Sequence, residues 1–142
     1  MYRVLVPVGG DAKHALAAAD AVASLPNAAA DVEATLLNVY EGFEVTGEGG
    51  RVDSEDVWDE ENFPEVVSAV EDRLVDAGVS VTKRREHGDP ADVICEVADE
   101  LDVDNITMSG RRRSPTGKML FGSTTQQVLI SSGQPVTVIL DE

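Results

Sequence analysis

The sequence predicts an open five-stranded parallel sheet with helices on both faces. Three observations carry that fold class. Strand-like apolar runs alternate with helical runs in the order β-α-β-α-β-α-β-α-β, which calls for parallel strands joined by crossover helices. The opening run, YRVLVPV, is β-branched and apolar throughout, as in a strand buried on both faces. A length of 142 residues fits one domain with one core, so the whole chain, 1–142, is read as a single domain.

The elements follow in order. Residues 2–8 form the first strand, and GGD breaks it. Residues 13–25, KHALAAADAVASL, are Ala-rich and helical. PNAAAD turns the chain into a second strand, VEATLLNVY, at 32–40. Residues 41–62 lose periodicity and carry nine acids against Arg51 alone, which predicts a mobile, solvated acidic loop. A helix over 63–78 places Phe63, Val66, Val67, Val70 and Leu74 on one face, with Gly78 at the C-terminal cap. The strand at 79–88 ends at a helix start with Asp89 as N-cap, Pro90 at the first helical position and Asp92 in the first turn. That helix, PADVICEVADEL, turns Ala91, Ile94, Val97, Ala98 and Leu101 inward. A short strand at 105–109, a helix near GSTTQQVLISS capped by Gly133, and a last strand at 135–140 complete the chain.

Composition narrows the function. Asp and Glu outnumber Lys and Arg by 27 to 11, for a net charge of −16. Such a field repels nucleic acid, so no nucleic-acid partner is expected. A carboxylate-rich, lysine-poor surface suits a salt-rich cytoplasm, where screening removes self-repulsion, and is read as the mark of a halophilic archaeon. No apolar run reaches the length of a membrane span, and MYRVLVPV reads as a strand rather than a charged leader; the expected location is the cytoplasm, with no membrane partner. The single Cys95 fits a reducing compartment.

The scarce positive charge is clustered. Arg111, Arg112, Arg113 and Lys118 form one group, and Lys83, Arg84 and Arg85 another. The first group sits beyond the carboxyl end of the fourth strand, and sheets of this kind bind ligands beyond such ends, where strand order reverses. Gly110, Gly117 and Gly122 would let backbone amides approach an anion. Gly122-Ser123-Thr124 opens a helix whose free N–H groups and dipole attract phosphate, and the two hydroxyls add donors. Simple capping by Ser123 and Thr124, or a solvated turn that offsets neighbouring acids, explains the same residues without a ligand.

Other motifs fail. A P-loop needs four residues between its glycines; six separate Gly110 from Gly117, and Met119 stands where Ser or Thr belongs. GGDAKH after the first strand is no dinucleotide fingerprint. His14 and His87 fit no metal-ligand pattern, so no metal site is expected. G-x-S-x-G is absent, and Cys95 lies inside an amphipathic helix as a small packed hydrophobe. No catalytic residue is assigned.

RVLVPV, GDPADVICEVADELDVDNITMSGRR and FGSTTQQVLISSGQPVTVIL together resemble the universal stress protein family over nearly the whole chain. The resemblance implies a Rossmann-like sheet of the adenine nucleotide alpha hydrolase type, with strand order 3-2-1-4-5, and a homodimer through residues 135–140. It implies a cytoplasmic stress-response regulator rather than an enzyme, slow nucleotide hydrolysis being the lesser alternative. Its ligand would be ATP or another adenine nucleotide, with Mg2+ where that ligand is a triphosphate. Nucleotide-binding members carry G-x2-G-x9-G-[ST] after the fourth strand, and Gly122-Ser123 keeps the end of that motif. The resemblance thus implies phosphate contacts from Gly110, Arg111, Arg113, Gly122, Ser123 and Thr124. It implies adenine or ribose contacts from Pro7, Val8, Gly9 and Val39. Two positions depart from the pattern. Arg112 or Arg113, depending on alignment, replaces the second glycine, and Gly9 replaces an Asp that holds adenine or ribose. Arginine there either supplies bidentate phosphate contacts or fills the phosphate's place. A dimeric adaptor that binds no nucleotide and acts through a regulatory protein partner is the alternative reading.

Overall fold

The computed structural model describes residues 1–9, 12–40, 64–111 and 122–141. The acidic segment expected to be mobile, 41–62, lies outside the described residues, as do Phe63, Arg112 and Arg113. Five strands, β1 (Tyr2–Pro7), β2 (Val32–Tyr40), β3 (Ser80–His87), β4 (Asn105–Arg111) and β5 (Val136–Asp141), form one parallel sheet in the order β3-β2-β1-β4-β5. The chain moves outward from β1 to β3, then returns to the other side of β1 for β4 and β5. Strand order therefore reverses between β1 and β4.

The helices are α1 (Ala12–Ala23), α2 (Ala28–Asp31), α3 (Glu65–Asp76), α4 (Pro90–Leu101) and α5 (Ser123–Ser131). Alternation along β1 feeds two cores. Val4 and Val6 pack with Leu36, with Ala18, Ala19 and Val22 of α1, and with Val67, Val70 and Leu74 of α3. Leu5 packs on the opposite face with Leu37, Ile106, Ile94 and Val97 of α4, and Val128 of α5. The alanines of α1 let it sit close to both sheet and α3. Burial of the larger side chains contributes roughly 1.5–3 kcal/mol each. Among the described residues, no helix is long and apolar enough to cross a membrane.

Local signals explain most boundaries. Gly78, at φ 85, ends α3 as expected. Val79 N–H bonds the Leu74 carbonyl at 3.0 Å and Gly78 N–H bonds that of Val75 at 2.8 Å, the two bonds of a left-handed helix stop. A side chain at Gly78 would also meet the Ala29 Cβ at 2.7 Å, so the stop doubles as a close approach to α2. Asp89 caps α4, its carboxylate accepting from Asp92 N–H at 3.1 Å.

Several expectations need correction. The stretch read as a plain turn contains α2, entered through Asn27 in the left-handed region at φ 57. Helices α1 and α3 are shorter than expected at 12–23 and 65–76. Gly133 is not the cap of α5. The helix stops at Ser132, which goes extended (φ −74, ψ 145), while Ser132 Oγ accepts from Gln134 N–H at 3.0 Å. β4 runs to Arg111 rather than to Ser109, so Gly110 belongs to the strand and pairs with Leu140. β5 is shifted by one residue to Val136–Asp141.

The second basic run is engaged with acids. Arg84 donates to both carboxylate oxygens of Glu100 at 2.9 Å and to Glu86 at 2.7 Å, and Lys83 Nζ lies 3.2 Å from Glu71. The hydrogen bonds from Arg84 hold the Glu100 carboxyl below the usual range. Arg85 lies over the Tyr40 ring, 5.2 Å from its centroid.

Candidate functional site: a cleft at the strand reversal

A cleft of about 530 Å3 opens at the carboxyl ends of β1, β2 and β4, where strand order reverses. The first wall is the tail of β1: Pro7, Val8 and Gly9. That tail is fixed through both backbone groups of one residue, Val8. Val8 N–H donates to the Leu37 carbonyl at 2.9 Å, and the buried Asn38 donates its Nδ2 to the Val8 carbonyl at 3.2 Å. Asn38 is thus a buried polar residue of β2 that fastens the cleft's edge, a role that strand periodicity alone does not reveal.

Val39 of β2, Ile94 of α4 and Met108 of β4 add apolar surface. Ser109 and Gly110 of β4 and Thr124 and Thr125 of α5 make the polar end. Thr125 Oγ1 stands 3.4 Å from the Ser109 carbonyl oxygen, a long contact that ties α5 loosely to the strand. His14 and Ala15 of α1 close the remaining side.

Of the site residues expected from the sequence, Pro7, Val8, Gly9, Val39, Gly110 and Thr124 come together in this lining. Gly122 and Ser123 stand beside it at the start of α5 without lining it. Arg113 and the Arg111 side chain lie outside the described residues; the Arg111 backbone ends β4. His14, Ile94, Met108, Ser109 and Thr125 line the cleft without having been expected there. Ser109 and Thr125 flank expected residues and follow from the strand-end rule. Which helix residues turn toward a cleft depends on how α1 and α4 settle on the sheet.

The N-terminus of α5 is chemically open. Gly122 is the N-cap, no side chain among the described residues caps the helix, and its first turn carries no acid. The capping reading of Ser123 and Thr124 is therefore replaced: both lie inside the helix. The first intrahelical bond runs from Gln126 N–H to the Gly122 carbonyl, so the amides of Ser123, Thr124 and Thr125 all precede it. Gly122 has φ −65, which any residue adopts, and no described residue lies within 4 Å of where its Cβ would stand. The described residues do not themselves require glycine there. Gly9 likewise has no described residue within 4 Å of where a side chain would begin. Among the described residues, no group of three metal-ligating side chains comes together.

A doubly wound parallel sheet with a cleft at its reversal point defines the class of open α/β ligand-site domains. The model of the universal stress protein family matches residues 1–139, and the chain belongs to that family. A universal stress protein of Mycolicibacterium smegmatis is 32% identical over 74 residues, covering 51% of this chain and 57% of that protein. The match thus spans little more than half of that relative's length. The structure of a universal stress protein from Archaeoglobus fulgidus has a TM-score of 0.76 at 25% identity, covering 98% of both chains. One from the same organism in complex with dAMP has a TM-score of 0.72 at 20% identity, again over 98% of both chains; at that identity the likeness speaks for the fold.

Proposed function

We propose that this universal stress protein binds an adenine nucleotide in the cleft at the strand reversal and acts as a stress-response regulator rather than an enzyme. The observation that carries the reading is the pairing of an apolar wall with an uncapped helix N-terminus in one cleft of about 530 Å3. A purine ring needs flat apolar surface, which Pro7, Val8, Val39, Ile94 and Met108 offer. A phosphate needs converging N–H and O–H donors, which the start of α5 with Ser123 and Thr124 offers. The family relative solved in complex with dAMP supports the ligand class. Arg111 and Arg113 add charge to the phosphate end in this reading. Mg2+ accompanies a triphosphate, held by phosphate oxygens and water. Binding shifts a conformational or partner equilibrium, which is how a regulator without chemistry acts.

The proposed assembly is a two-fold dimer through residues 135–140. β5 pairs with β4 on one side and forms the edge of the sheet, and its Val136, Val138, Ile139 and Leu140 remain half-exposed. The proposed setting is a salt-rich cytoplasm, in which a surface with 27 acids is screened. Equilibrium titration with ATP, ADP, AMP and inorganic phosphate at high salt tests the nucleotide reading. Saturable binding of the adenine nucleotides supports it, and no binding across the panel leaves the adaptor reading. Light scattering at micromolar concentration tests the dimer, which a monomer mass contradicts. A melting temperature that does not rise with salt contradicts the proposed setting.

A further inference from the structure

β1 runs beside β2 over its whole length, with Cα partners from Tyr2↔Val32 to Pro7↔Leu37. Its ladder with β4 covers only Val4↔Asn105 and Leu5↔Ile106. Beyond Leu5 the chain therefore stays with β2 and parts from β4. Pro7, Val8 and Gly9 line one bank of the cleft so formed, and Ser109 and Gly110 of β4 line the other. Both backbone groups of Val8 turn toward β2: its N–H donates to the Leu37 carbonyl at 2.9 Å, and its carbonyl accepts from Asn38 Nδ2 at 3.2 Å. The Val8–Gly9 peptide is trans, so its C=O and N–H point opposite ways. β1 lies between β2 and β4, and Gly9 N–H is thus turned away from β2, toward the β4 bank. Among the described residues it meets no acceptor.

We infer that Asn38 is a positioning residue of the nucleotide site: by holding the Val8 carbonyl toward β2, it aims Gly9 N–H across the cleft at the nucleoside part of the ligand. The inference rests on the nucleotide reading of the cleft. β1 ends at Pro7, so the Val8 carbonyl lies past the strand ladder, and the buried Asn38 side chain, 8% exposed, supplies the bond that the ladder does not. With that bond removed, Val8 keeps its N–H anchor alone. The peptide plane after it can then turn about the Val8 Cα–C bond, and Gly9 N–H loses its heading. A backbone donor already held in place needs no ordering when a ligand arrives, which strengthens binding. The acceptors open to it on a nucleoside are ring nitrogens and ribose oxygens, while the phosphate lies with α5.

Calorimetric titration of adenosine, AMP and inorganic phosphate into the parent, N38L and N38D proteins in mildly alkaline buffer tests this, with a melt for each. Leucine matches asparagine in size and has no donor; aspartate keeps the shape and sets an acceptor against the Val8 carbonyl. The loss of one neutral hydrogen bond sets the scale: each variant binds adenosine and AMP roughly three- to tenfold more weakly, with inorganic phosphate within about twofold of the parent. Spectra of protein labelled with nitrogen-15 glycine supply the second readout. The Gly9 amide, assigned as the resonance missing from G9A, shifts when adenosine is added to the parent and does not shift in N38L. Parental adenosine affinity in folded N38L overturns the inference and leaves the nucleotide reading standing. Parallel loss of adenosine and phosphate also overturns it, because the defect then belongs to the fold and not to the β1 tail. So does a parental Gly9 resonance that ignores bound adenosine. A parent that binds neither adenosine nor AMP overturns both readings. Should N38L fail to fold, N38D decides by the same split between nucleoside and phosphate.

Discussion

Helices α4 and α5 lie against one face of the sheet, and both start at the mouth of the cleft. Their N-termini are built differently. α4 satisfies its own end: Asp89 accepts from Asp92 N–H, Val93 N–H reaches the Asp89 carbonyl, and Pro90 has no N–H to satisfy. Asp92 adds negative charge to the first turn. α5 has a glycine N-cap, no capping side chain among the described residues and no acid in its first turn, with three amides ahead of its first helical bond. The difference separates a helix end that serves the fold from one left available to a ligand. Net charge makes the contrast sharper, since a chain with 27 acids leaves this end without one.

The contrast disappears if α5 is made to resemble α4. Gly122→Asp gives α5 an acidic N-cap, and the open space and ordinary φ at Gly122 admit the side chain. Nucleotide affinity is expected to fall on the order of a hundredfold or more, because a carboxylate then competes with the phosphate. Thermal stability should hold or rise by a few tenths of a kcal/mol. Gly122→Val should also abolish binding, through bulk, without unfolding the domain, at a melting temperature lowered by the poorer N-cap. Titration paired with melts checks both, and a bound nucleotide in either variant at parental affinity separates α5 from the site.

Ser123→Ala has the next largest effect. Ser123 lies inside α5 rather than at its N-cap, so removal of its hydroxyl should leave the melt unchanged and weaken nucleotide binding roughly tenfold. A lower melting temperature without ligand would return Ser123 to a capping role. Asp89→Ala gives the reverse pattern. Loss of the α4 cap should cost about 1 kcal/mol in chemical denaturation and leave nucleotide affinity unchanged.

The smallest effect comes from the other end of the cleft. Gly9→Asp places a carboxylate where nucleotide-binding members of the family hold adenine or ribose, and no described residue stands within 4 Å of the new Cβ. One added hydrogen bond predicts about a two- to tenfold gain in affinity for adenosine. Adenosine affinity at or below the parent's would mean that the β1 tail does not face the sugar.

Much of the contrast between the two helix ends is legible in the amino-acid sequence. Asp89, Pro90 and Asp92 announce a capped helix because capping is local, spanning four residues. Gly122-Ser123-Thr124 announces a helix start beside glycine for the same reason. The cleft's place at the strand reversal follows from β-α alternation and the strand order of the family. Local rules mislead where a competing bond wins. Gly133 follows α5 at the same offset as Gly78 follows α3, yet it has no positive φ, because Ser132 has already gone extended and its hydroxyl takes the turn. α2 is hidden because four residues behind a left-handed Asn27 carry no helical period. His14, Asn38 and Met108 belong to the cleft through contacts between elements far apart in sequence; Asn38 reaches Val8 across 30 positions.

A crystal structure with adenosine 5′-thiophosphate, its sulfur located by anomalous scattering, tests most directly whether the open end of α5 holds the ligand. The thiophosphate is expected within hydrogen-bond distance of the amides of Ser123, Thr124 and Thr125, with adenine against Val39 and Ile94. A thiophosphate at the start of α4, or outside the cleft at the strand reversal, would contradict that placement.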